Sequence, residues 1–135
     1  MKKIIILTSI FVSILVVYLY ICIKKDINNP CSIGRDTVYQ VGENCRYAIL
    51  SGDRNNKKEW SLFDRKDSPI SIRDDIIAYY DENNYLYLLT SDIYIKIDYK
   101  NENIYYYKLN ELDNNDKKIF DDLKNKEKGH YKGEI

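Results

Sequence analysis

Hydrophobic and polar positions follow three rhythms along this chain. From Ile4 to Ile23 there is no charged residue and no Pro or Gly, and the run is bounded by Lys2-Lys3 and Lys24-Lys25-Asp26. Between Ile76 and Lys108 the pattern breaks into short β-branched and aromatic runs. These are Ile76–Tyr80, Tyr85–Leu89, Ile93–Tyr99 and Ile104–Lys108, separated by Asp81-Glu82-Asn83-Asn84, Thr90-Ser91-Asp92 and Lys100-Asn101-Glu102-Asn103. Such runs, joined by short polar turns, predict an antiparallel β-meander. Near the carboxyl end the spacing of Ile119, Phe120 and Leu123 shifts to a helical period. It predicts a helix over about Asp116 to Lys126, capped by Asn114 or Asn115, that covers an edge or face of the sheet.

Within the third run the period of two puts Ile93, Ile95, Ile97 and Tyr99 on one face and Tyr94, Lys96 and Asp98 on the other. The expectation is a strand with its isoleucine face on a core and its Lys96 face in water. Upstream, Thr37–Val41, Cys45–Leu50 and Glu59–Phe63 read as shorter strands, with Gly42-Glu43-Asn44 as a turn and Ser51–Lys58 as a loop. Asp67-Ser68-Pro69 marks a break. Turns at Asp81–Asn84 and Lys100–Asn103 resemble one another, but two copies do not make a repeat architecture.

The apolar run is about 20 residues, or about 30 Å of helix, which matches a bilayer's hydrocarbon core. It is too long for a signal-peptide core and lacks a small-x-small cleavage site. Ile21 before Cys22 also argues against a lipoprotein signal. The sequence therefore predicts an uncleaved single-pass signal-anchor, with Tyr18 and Tyr20 near the headgroup layer. Lys2, Lys3 and the α-amino group tip the positive-inside balance toward a cytoplasmic amino terminus and an extracytoplasmic domain. On this reading residues 1–25 are the anchor, 26–36 a juxtamembrane linker, 37–128 an α+β domain and 129–135 a flexible tail.

Charge narrows the partners. The chain has 21 basic and 21 acidic residues, and only Lys2 and Lys3 among them precede the apolar run. The charges are interleaved, so there is no basic field of the kind nucleic acid requires. Fourteen tyrosines against three phenylalanines suit a recognition surface. Ile, Lys, Asn and Tyr are abundant together, however, and their A/T-rich codons point to genome base bias as a source of the excess. Cys31 and Cys45 are spaced for a local disulfide, worth about 3 kcal/mol by the chain-entropy argument.

Candidate chemistry is sparse. His130 is the sole histidine and sits between Gly129 and Tyr131, where little would hold a general base. Ser51 and Ser91 stand in turn sequences without a nucleophile elbow. Asp74, Asp75, Asp81 and Glu82 lack calcium-loop spacing, and Cys31, Cys45 and His130 are too few and too scattered for zinc. No catalytic residue, metal or cofactor is expected. The tyrosines are the functional lead, with Tyr94, Tyr105 and Tyr107, or Tyr106 in place of the last two, as a candidate partner surface. The chain reads as a membrane-anchored binding or protective protein, with membrane lipid as one partner through residues 4–23 and a protein as the other. A concrete form is an immunity factor against an envelope-acting toxin. The alternatives are an accessory subunit of an envelope complex and an envelope hydrolase using paired carboxylates, though nothing selects the pair.

Overall fold

The computed structural model describes residues 2–27, 31, 33–54, 57–66 and 71–132; in the first helix side chains are described from Phe11 to Lys24, and those of 53, 54 and 57 are not. Two units are distinguished, Met1–Ser32 and Ile33–Ile135. The first holds helix α1, Lys2–Ile27. Among the described residues no helix is long and apolar enough to cross a membrane. This corrects the expected signal-anchor over 1–25. It also removes the support for the lipid partner, the cytoplasmic-amino-terminus topology and the envelope roles drawn from the anchor. Cys22 is free, whereas Cys31 and Cys45 are disulfide-bonded, the pairing their spacing predicts.

The second unit is α+β with an antiparallel core. Strands β1 Thr37–Val41, β2 Tyr47–Arg54, β3 Lys57–Asp64 and β4 Arg73–Ile76 form one sheet in sequential order. Strands β5 Ala78–Glu82, β6 Tyr85–Leu89, β7 Tyr94–Asp98 and β8 Asn103–Tyr107 form the expected meander. This second sheet is completed by β9, His130–Tyr131, in the order β8-β7-β6-β5-β9. Helix α2 spans Asn114–Lys124. Its cap is Asp113, whose carboxylate accepts from Asp116 N at 2.8 Å, one residue before the position anticipated. Residues 133–135 of the expected tail lie outside the described ones. His130 and Tyr131 pair with Tyr79 and Ala78 where a mobile end was anticipated.

Local sequence explains most of this layout. Asn83 and Asn84 have φ of 54° and 69° and close a two-residue hairpin under the Glu82↔Tyr85 pair. Asparagine tolerates that left-handed geometry well. Of the stretch expected as a loop, residues 51–54 and 57–58 belong instead to strands β2 and β3, whose register runs from Tyr47↔Asp64 to Arg54↔Lys57; residues 55 and 56 lie outside the described ones. There, ladder bonding outweighs the low strand propensity of Gly52 and Asp53. Ile77 is the single residue between β4 and β5, so the apolar run around it crosses from one sheet to the other. Ile76 faces the first core and Ala78 the second.

Two cores result. The first is between the sheets: Val41, Tyr47, Ile49, Leu62 and Ile76 meet Tyr79, Leu86, Leu88, Ile95 and Ile97. The second is on the other face of the β5–β9 sheet, where Ile119, Phe120 and Leu123 of α2 pack on Ala78 and Tyr87. Period-two alternation therefore serves two buried faces, and the expectation that Lys96 and Asp98 face water is corrected. Asp98 is 5% exposed, and the Lys96 side chain is 16% exposed against Asp116 on α2. Helix α2 covers Lys96 through Asp116, whereas Asp98 is turned into the β7–β8 turn, where it accepts from Asn101 N and Nδ2 at 3.0 and 2.8 Å.

Ionic clusters join the sheets at both ends of β7. At one end Arg46 donates to Asp64 at 2.7–3.0 Å and pairs with Glu102 in the β7–β8 turn. At the other, Arg73 bonds Asp75 and Asp92, and Asp75 accepts from Ser91 in the β6–β7 turn. Arg73 and Ser91 hold the Asp75 carboxyl down at about 2, against the opposing pull of burial. Arg46 lowers Asp64 in the same way.

Candidate interface at the open sheet edge

The β7–β8 register sets Tyr94 opposite Tyr107 and Lys96 opposite Tyr105. The three tyrosines singled out by sequence therefore share one face with Lys96, because directly paired residues of antiparallel strands point the same way. Their exposure differs. Tyr94 packs its ring 4.8 Å from that of Phe120 and belongs to the α2 core. Tyr107 is half-buried, and burial is the main reason its phenol is pushed up. Tyr105 stacks on Tyr107 at 6.2 Å and is 39% exposed. Tyr106, on the opposite face, is 52% exposed.

Beside these rings is a buried polar knot. Lys96 Nζ donates to both carboxylate oxygens of Asp116 at 2.7–2.8 Å and lies 4.5 Å from the Tyr85 ring centroid. Tyr87 OH donates to the same carboxylate at 3.3 Å, and burial followed by the nearby Asp116 charge raises its phenol strongly. This is a satisfied ion pair holding a helix to a sheet. On the other face Asp81 accepts from Tyr39 at 2.6 Å and Tyr99 at 3.0 Å, and both phenols are raised, chiefly by burial.

The remaining candidates are dispersed. His130 stacks on Tyr79 at 4.9 Å, a packing role at the β9 edge. Asp75 and Asp81 are each engaged by different partners, as described above. Among the described residues no group of three or more His, Cys, Asp or Glu could hold a metal. An open polar cleft of about 270 Å³ is lined by Arg35, Asp36, Ser51, Gly52 and Lys58.

The four sheet edges differ in how they are protected. A bare edge is a template for another strand, and proteins blunt it with bulges, charges, prolines or brevity. Edge β1 has a register break between Thr37 and Tyr39. Edge β4 has four residues, three of them charged (Arg73, Asp74 and Asp75), and a break in its pairing with β3. Edge β9 is two residues long. Edge β8 has none of these devices. Its five residues pair with β7 without interruption, and Asn-Ile-Tyr-Tyr-Tyr contains no charge and no proline. Leu109, just beyond it, is 51% exposed. The tyrosine pattern drew attention to this strand, but its edge position follows from the strand order, which the sequence does not state.

Comparison of the chain with protein families, curated proteins and solved structures finds no match.

Proposed function

We propose that this domain is a recognition module, not a catalyst, and that it takes an extended segment of a partner protein onto β8 as an added strand. The supporting observation is the contrast among edges: three are blunted, and the fourth is regular, uncharged and rich in tyrosine. In strand addition, main-chain hydrogen bonds supply affinity and alternating side chains supply specificity. Tyr105 on one face and Tyr106 on the other offer large contact areas at low side-chain entropy cost.

Selection from a displayed library of extended peptides tests this without the partner in hand. Enriched peptides should alternate aromatic and β-branched residues, and should lose binding to a Tyr106→Lys variant that melts like the parent. Peptides that bind that variant equally well would place recognition elsewhere and overturn the reading.

A further inference from the structure

Resting on the reading of β8 as an interaction edge, we infer that its occupant is a second copy of this chain, paired antiparallel about Tyr105. The register follows from the strand itself. A two-fold axis through Tyr105 sets that residue against its own counterpart, Ile104 against Tyr106 of the second copy, and Asn103 against Tyr107 of the second copy. Each pair falls on a common face, as antiparallel pairing demands. Ile104 already packs on the core between the sheets. The exposed Tyr106 shares its face and gains an aromatic–β-branched contact, which occurs twice by symmetry.

Charge agrees with the same register. Beyond the strand ends Glu102 meets Lys108 of the second copy, and no like charges face each other. Lys108 is exposed, and the Glu102 side chain is 40% exposed beside Arg46 and Lys66. A parallel arrangement in register would set Glu102 against Glu102 and Lys108 against Lys108. The closed isologous pair also satisfies the edge without leading to an open filament, because each copy has one such strand.

Five residues on each side make a small interface, so the pair belongs to the weak, reversible class. The experiment is sedimentation of the full chain over a concentration series reaching on the order of 100 µM, in a Cys22→Ser background, followed by cysteine cross-linking. The parent should show a reversible monomer–dimer equilibrium, and Tyr106→Lys should weaken it about tenfold or more, since two symmetric contacts are lost together. Under mild oxidation Tyr105→Cys should form a covalent dimer, because a residue on the axis faces itself within disulfide range. Tyr107→Cys, which faces Asn103 of the second copy, should not. A parent that stays monomeric throughout, a dimer indifferent to Tyr106→Lys, or equal cross-linking at 105 and 107 would each overturn the inference. A monomer that still captures displayed peptides at β8 would sink this inference alone and leave strand addition standing.

Discussion

The two faces of the β5–β9 sheet are both buried, but by different physics. The face toward β1–β4 is closed in its middle by aliphatic and aromatic side chains from both sheets, with Asp81 and its two tyrosines among them and the Arg46 and Arg73 clusters at its ends. The face under α2 mixes tyrosines and Phe120 with a charged pair, Lys96 and Asp116. An apolar face tolerates a lost methyl group in proportion to the cavity left behind. A face containing a buried ion pair fails abruptly, because removing one partner strands the other. The second face should therefore be the more specific about where its helix sits and the less tolerant of single changes.

The sharpest way to break the comparison is Lys96→Ala. It leaves Asp116, 3% exposed, without its cation, and should cost about 3–5 kcal/mol in denaturant unfolding. Replacing both partners, Lys96→Met with Asp116→Leu, should recover most of that loss, since well-packed apolar substitutes often match a buried pair. A double variant as unstable as the single would show that Lys96 acts through packing. On the other face Ile95→Ala should cost about 2–5 kcal/mol and Ile95→Val about 0.5–1.5, a graded response tied to volume. If Ile95→Val proved as damaging as Ile95→Ala, the face would not be a simple apolar core.

Smaller effects refine the picture. Asp113→Ala removes the cap of α2 and should cost about 1 kcal/mol, without loosening the core between the sheets. Amide exchange should localise the loss to α2; protection lost across β1–β4 would argue that the two faces are coupled. Last comes acid. The Asp75 carboxyl is held down at about 2 by Arg73 and Ser91, below its ordinary value near 3.9. A depressed carboxyl stabilises the fold above its unfolded value and loses that contribution as pH falls toward 2. Because the Asp75 side chain is 35% exposed, solvent screening keeps the contribution at or below about 1 kcal/mol. Melting temperatures of the parent and Asp75→Asn should converge between about pH 4 and pH 2, and equal curves at pH 6 would show that the clamp adds no stability.

What the chain discloses without its structure follows the reach of local patterns. The hairpins of the second sheet are readable because Tyr85–Leu89 and Ile93–Tyr99 are β-branched and aromatic runs set off by short polar turns, and the second of them also alternates. Helix α2 was readable from Ile119, Phe120 and Leu123, although its cap lies at Asp113. Strand β4 was not, because Arg73-Asp74-Asp75 looks like a polar connection and becomes a strand only through β3. The fate of Lys96 was hidden for a different reason. Period two states that it opposes Ile95, and only the packing of α2 decides whether the opposite side is water. The apolar character of 4–23 was plain, yet it did not establish a membrane-crossing helix among the described residues. As for the candidate site, tyrosine spacing led to β8, while the difference between the covered Tyr94 and the open Tyr106 depended on tertiary structure.

The late strand β9 has a kinetic consequence. The hairpins joining β5 to β8 close over a few residues each, so they form quickly and at little entropic cost. The match of Tyr79 with His130 must wait until the intervening meander and α2 have condensed. Gly129 then makes the close approach, at φ +90°, where an added Cβ would lie 2.6 Å from the Tyr79 carbonyl oxygen. A ribosome emitting this chain thus releases β5 with its outer edge bare. That edge stays open until His130 and Tyr131 emerge to pair with it, and the newborn chain is most prone to mispairing with its neighbours during that interval.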